Sequence, residues 1–122
     1  WTVLSDQRMK QNIRPLRGAL ERVLQLEGFT FEYTPEAIER GLALEGPQIG
    51  LVAQQVERVF PDWVDQDADG TKLVTEHGTT ALFVEALREL RAEKDAENQA
   101  LRDEIAALRA ELRALAEVES RR

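Results

Sequence analysis

From Ala81 to Arg122 the chain contains neither glycine nor proline, and alanine, leucine, glutamate and arginine make up most of it. Such a stretch has little alternative to one continuous helix, about 60 Å long at about 1.5 Å per residue. A single helix of that length cannot bury its own apolar stripe. Leu101, Ile105, Leu108, Leu112 and Leu115 follow one another in steps of four, three, four and three, the heptad rhythm of a coiled-coil seam. Extended backward, the seam runs through Asn98, Lys94 and Arg91 to Leu87 and Val84, so its middle is polar. Leu90 falls off this frame, which places a stutter near residues 90–98. Asn98 at a core position fixes register at some cost in stability. The simpler alternative is an amphipathic helix laid along its own domain. The remaining residues, about eighty, are too few to cover the tail, so self-association is expected. Ile105 with leucine elsewhere in the seam does not decide between two strands and three.

The 80 residues before the tail have mixed composition with glycine, proline and aromatic punctuation, enough for one modest core. The fold class expected is therefore α+β: a small mixed globular part over 1–80, then a self-associating helix over 81–122. A net charge of −7 disfavours nucleic acid as a partner. The absence of cysteine removes disulfides, thiol catalysis and cysteine-rich zinc sites together. No apolar run approaches the length that spans a bilayer. The chain opens on Trp1 rather than an initiator methionine, which reads as a piece of a longer polypeptide.

Within the first part, Ser5 to Ile13 reads as a helix start capped by Ser5 or Asp6. Pro15 is a good first-turn residue for a helix over Leu16–Leu26, ended by Gly28, with Leu16, Leu20, Val23 and Leu24 on one face. Phe29, Phe31 and Tyr33 alternate with Thr30 and Glu32 as in a strand. Residues 34–47 carry two glycines and two prolines and read as a loop with one helical turn. Ile49 to Val52 is a short apolar strand, and Ala53 to Phe60 a helix with Val56, Val59 and Phe60 inward, stopped by Pro61. Trp63-Val64 and Lys72 to Thr75 read as strands around the turn Asp67-Ala68-Asp69-Gly70. Trp1 and Trp63 read as packing aromatics.

Three blocks carry a resemblance. The first is Ser5-Asp6-Gln7-Arg8-Met9-Lys10-Gln11-Asn12-Ile13 followed by Pro15-Leu16. The second is Ile49-Gly50-Leu51-Val52-Ala53-Gln54-Gln55-Val56-Glu57 with Phe60-Pro61, and the third runs from Leu82 to Leu90. In this order and spacing they resemble the endosialidase-type intramolecular chaperone domain of phage tailspikes and tail fibres. The resemblance implies a C-terminal module that forms a homotrimer, brings an upstream tailspike or fibre segment of the same polypeptide into register, and then cuts itself off. Related modules occur in some membrane-tethered transcription factors. It implies action in the host bacterial cytoplasm during phage assembly, after which the module leaves the virion tail or stays on it. No cofactor, no nucleic-acid partner and no membrane are expected.

The resemblance also assigns the cut to Leu4–Ser5, with Ser5 as nucleophile and Lys10 as base. A serine hydroxyl is a poor nucleophile until a neighbour takes its proton. A lysine amine takes that proton only when neutral, which burial or nearby positive charge promotes, and Arg8 is the candidate charge. On a continuous helix, positions five apart diverge by about 140°. Ser5 and Lys10 therefore meet within one chain only if Ser5 precedes the helix; otherwise Lys10 serves a neighbouring subunit. Without the resemblance, Ser5 reads as an N-cap and Lys10 as a solvated charge. Asp6 reads as a cap and Asn12 as a turn. A pure trimerisation module with a silent site is the competing reading.

Two other constellations compete for chemistry. Asp65, Asp67, Asp69, Gly70 and Glu76 fit the spacing of a calcium loop, but Lys72 occupies a position usually aliphatic and the flanks read as strands. A solvated acidic turn is the reading preferred. His77, the one histidine, could pair with Ser5 as a base, yet a lone histidine beside a glycine is more often a loop residue.

Overall fold

The computed structural model describes residues 2–122. Trp1, read above as a packing aromatic, lies outside the described residues. One helix, α4, runs from Thr79 to Ser120 and accounts for 42 residues. It opens on Gly78, whose left-handed backbone (φ 65°) turns the chain into the helix at a position that disfavours side chains. The expected tail helix is thus present, beginning two residues earlier than the compositional boundary.

The rest is a set of short elements, of which α1 (Ala19–Val23) packs along the start of α4. In chain order they are α1, β1 (Phe29–Phe31), α2 (Pro35–Glu39), β2 (Gln48–Gly50), α3 (Ala53–Val59), β3 (Val64–Gln66) and β4 (Lys72–Val74). The strands form two antiparallel pairs. In one, Thr30 faces Ile49; in the other, Asp65 faces Leu73. The first strand follows the Phe29–Phe31 alternation, and the second pair is the hairpin read around Asp67–Gly70. At Gly50 an added Cβ would sit 3.2 Å from the Phe31 ring, so glycine lets the two strands pair with that ring across them.

The core is small and apolar: Ala19, Leu20, Val56, Phe60, Trp63, Leu82 and Ala86 are buried. It joins α1, α3 and the first two turns of α4. Phe60 and Trp63 stack with ring centroids 4.3 Å apart, and the Arg22 guanidinium caps the Phe60 ring at 4.2 Å. Pro61 ends α3 as expected and opens a single 3-10 turn, Pro61–Trp63, that carries Trp63 into the core.

Two expectations need correction. The helix expected over Leu16–Leu26 is only Ala19–Val23, and Leu16 and Leu24 are exposed. Gly18 adopts the left-handed conformation (φ 70°), which no continuing helix permits. The free amides of the first turn are met from far along the chain. Ala19 N–H donates to Glu89 Oε1 at 3.2 Å and Leu20 N–H to Glu89 Oε2 at 2.9 Å. The helix expected from Ser5 to Ile13 is a single 3-10 turn, Gln7–Met9, with Lys10 already extended and Asn12 left-handed (φ 55°). The turn reading of Asn12 therefore holds.

Beyond Leu90 the tail touches nothing of its own chain that buries it. Leu101, Ile105, Leu108, Leu112 and Leu115 are 48–65% exposed, and the buried residues of α4 are Leu82 and Ala86. The alternative of a helix covered by its own domain is thereby set aside. No described helix is long and apolar enough to cross a membrane.

Candidate active site

The 3-10 turn explains how residues five apart come together. Asp6 is extended (φ −63°, ψ 130°), and its carboxylate accepts from Arg8 N–H at 2.9 Å, closing the turn from its N-terminal side. Lys10 is extended again (φ −115°, ψ 147°), its N–H donating to the Gln7 carbonyl at 3.1 Å. Ser5 lies before the turn and Lys10 after it, so both side chains leave on the same side. Lys10 Nζ donates to Ser5 Oγ at 2.9 Å. With a neutral amine, the same separation serves a hydroxyl donating to nitrogen, the contact a general base requires. The two residues named from the sequence therefore meet within one chain, and no second subunit is needed to bring them together.

Asp6 and Arg8 form a pair of their own. The guanidinium reaches both carboxylate oxygens, with Nη2 to Oδ2 at 2.8 Å. Arg8 beside it holds the Asp6 carboxyl below the usual carboxylate range, and Asp6 in turn raises the Arg8 guanidinium. The positive charge expected to favour a neutral Lys10 is thus matched by a carboxylate. Ser5, Asp6, Arg8 and Lys10 all lie on exposed surface.

Amides near Ser5 divide cleanly. Those of Arg8, Met9 and Lys10 donate to Asp6 or Gln7. Those of Asp6 and Gln7 have no acceptor among the described hydrogen bonds.

The competing constellations come apart in the structure. Asp67 Oδ1 accepts from the amides of Asp69 and Thr71, and Asp69 Oδ2 is bound by Arg40 Nη2 at 2.8 Å. These carboxylates close a hairpin turn and an ion pair, and no cluster of three metal-ligating side chains occurs among the described residues. His77 lines a cleft with Leu16, Arg22, Phe60 and Trp63, whereas the hydrogen-bond partner of Ser5 is Lys10.

Glu89 is the residue that sequence reasoning missed. Its carboxyl is held below the usual range, chiefly by Leu20 N–H, which outweighs the opposing cost of desolvation, with lesser help from the amides of Ala19 and Gly18. It ties the start of α1, directly after the segment bearing Ser5 and Lys10, to the long helix. One signal was available: Gly18 offers no side-chain cap, and a glutamate lies within the block Leu82–Leu90 that also supplies two core residues.

The three blocks thus divide the work. The first carries the Ser5–Lys10 pair, the second forms β2 and α3 with Val56 at the centre of the core, and the third supplies Leu82, Ala86 and Glu89. The family described as chaperone of endosialidase matches residues 5–65. The long tail fiber protein Gp37 of Enterobacteria phage T2 is 34% identical over 98 residues, covering 74% of this chain. The Gp37 of Salmonella phage S16 is 34% identical over 93 residues, covering 70%, and that of Escherichia phage AR1 is 32% identical over 72 residues, covering 59%. The matched region is 7%, 12% and 6% of those fibre proteins, respectively. With half of its length matched by the family and the Ser5 block at the start of that match, this chain belongs to the endosialidase chaperone family.

Proposed function

We propose that this chaperone aligns three copies of an upstream fibre or tailspike polypeptide and then releases itself by cutting Leu4–Ser5. Residues 1–80 form the cutting part and residues 81–122 the trimerising part, a parallel three-stranded coiled coil. The observation that carries the cutting is the 2.9 Å contact between Lys10 Nζ and Ser5 Oγ. The uncovered seam from Leu101 to Leu115 supports self-association. Relatives named as long tail fiber proteins support a fibre segment upstream and assembly in a bacterial host, with the module leaving the virion tail or staying on it.

In the reaction, Lys10 takes the hydroxyl proton as Ser5 Oγ attacks the Leu4 carbonyl carbon. The amides of Asp6 and Gln7 are the candidate donors to the oxyanion. Collapse breaks the Leu4–Ser5 C–N bond, and Lys10 returns its proton to the departing nitrogen. This leaves the Leu4 acyl group as an ester on Ser5 Oγ and a free amine on Ser5. Water hydrolyses the ester, giving a Leu4 carboxylate and restoring the hydroxyl. The chemistry calls for no cofactor.

A second reading, a trimerisation module whose pair never fires, is favoured by one observation: Ser5 and Lys10 are both exposed, and Asp6 matches the charge of Arg8. Intact-mass measurement on a polypeptide carrying the native upstream segment separates the two. Cutting at Leu4–Ser5 that disappears in Ser5→Ala and Lys10→Ala supports the peptidase. A parent chain that assembles and stays whole leaves only the module.

A further inference from the structure

Residues 2–18 are exposed without exception, yet their backbone follows a definite course through the 3-10 turn and the left-handed Asn12. Every hydrogen bond made by residues 2–17 among the described residues stays inside this segment. Val3, Leu4, Met9 and Ile13 are 65–78% exposed. Four large apolar side chains on one uncovered arm form the kind of surface that marks an interaction site.

Charge says what the arm fits. Residues 2–18 hold four basic side chains, Arg8, Lys10, Arg14 and Arg17, against one acidic, a net of +3. Residues 19–80 hold twelve acidic and four basic side chains, a net of −8. As far as Arg17 the arm is a basic, apolar strap that makes no described hydrogen bond to the acidic body; it is hinged there by Gly18, whose carbonyl accepts from Arg22 N–H, with Leu16 lining a cleft beside Phe60 and Trp63. In a parallel assembly the bodies lie side by side around helices about 8–10 Å apart. Seventeen residues reach up to about 55 Å when extended, ample to cross to the next body.

We infer that the arm, residues 2–18, docks on the acidic body, residues 19–80, of a neighbouring copy. This rests on the self-association proposed above. Arg14 and Arg17 meet carboxylates of the neighbour, while Leu4, Met9 and Ile13 spread over its apolar surface and bring Lys10 out of bulk solvent. Desolvation disfavours a charged amine, so the covering chain supplies what Arg8, matched by Asp6, does not. The pair is assembled within one chain and covered by the next.

The test uses the full chain carrying Arg14→Lys, which keeps the charge and adds an amine. Equal parts of natural-abundance and 15N-labelled protein are unfolded and refolded together, then treated with a carbodiimide that joins amines to carboxylates in direct contact. Coupled peptides of mixed isotope joining position 14 to a carboxylate within residues 19–80 are expected. They should be absent when Leu108→Asp is added, and arm amides should exchange about tenfold more slowly in the assembly than in that variant. Coupling only within one isotope would overturn the inference in favour of an arm folded on its own body. Mixed coupling confined to residues 81–122 would move the contact to the helix and overturn it too. No coupling, with arm amides exchanging equally fast in both samples, would mean a free arm open to some other polyanion. Sedimentation of the same sample separates the two proposals. A monomer defeats self-association and arm docking together, whereas a trimer with an unprotected arm defeats only the docking.

Discussion

Replacing Leu108 by aspartate strikes the middle of the proposed seam and leaves the globular part alone. Leu108 lies on α4, 22 residues beyond Ala86, the last buried position of that helix. In the single chain it is 52% exposed, so about half of its burial remains to be gained on assembly. Fully burying a leucine is worth about 1.5–3 kcal/mol, which makes the remaining half about 1 kcal/mol per chain. The aspartate forfeits this and brings three carboxylates into one apolar layer, at a further cost of about 2–3 kcal/mol per chain even after partial solvation. The trimer loses about 9–12 kcal/mol in all, roughly six to nine orders of magnitude in its dissociation equilibrium. Sedimentation equilibrium at micromolar concentration should find trimers for the parent and monomers for Leu108→Asp. Ala110→Asp, which adds the same charge two residues away at the outermost heptad position, should remain trimeric. An unchanged oligomer in Leu108→Asp, or equal dissociation by Ala110→Asp, would refute the seam.

Glu89→Gln should lower the melting temperature at neutral pH by a few degrees, because two amides of α1 lose an ionised acceptor. The folded chain holds the Glu89 carboxyl below its unfolded value, so its contribution is present above the ordinary glutamate range and is lost as pH falls through the folded value; the variant should show a flatter acid limb in melts between neutral and acidic pH. Trp63→Ala should cost about 3–5 kcal/mol, since the buried indole stacks on Phe60 in a small core, and near-ultraviolet circular dichroism should fade while the signal of the tail helix persists. Calcium at millimolar concentration should leave the melting temperature unchanged, because Asp67 and Asp69 already serve hairpin amides and Arg40.

Much of the fold was legible because it is local. The glycine- and proline-free tail, the Phe29–Phe31 alternation, the run Ala53–Val59 before Pro61 and the Asp67–Gly70 hairpin each carry their own instructions within a few residues. What was not legible depends on distance. Leu16–Leu26 has a helical face, but Gly18 turns left-handed and Glu89, about seventy positions away, sets where the helix begins. Ser5–Ile13 has a capping residue in Asp6, but Lys10 leaves the turn at once. That departure brings its amine to Ser5, which precedes the turn, the condition under which the two were expected to meet within one chain. The neutralisation of Arg8 was foreseeable in kind, since Asp6 sits two residues before it, but only the geometry showed both carboxylate oxygens engaged.

The contact between Ser5 and Lys10 is compatible with two roles for the lysine, a base that moves a proton or a cation that merely holds the hydroxyl. Lys10→Arg separates them, because a guanidinium keeps the charge and can still donate to Ser5 Oγ but does not accept a proton at neutral pH. The decisive measurement is the intact mass over time of Lys10→Arg carried on the native upstream segment, with its trimer verified by sedimentation. A trimer that stays uncut at Leu4–Ser5, while the parent is cut there, is the outcome expected of a serine nucleophile with a lysine base. Cutting of Lys10→Arg at the parent rate would remove the proton transfer from Lys10 and with it the proposed mechanism.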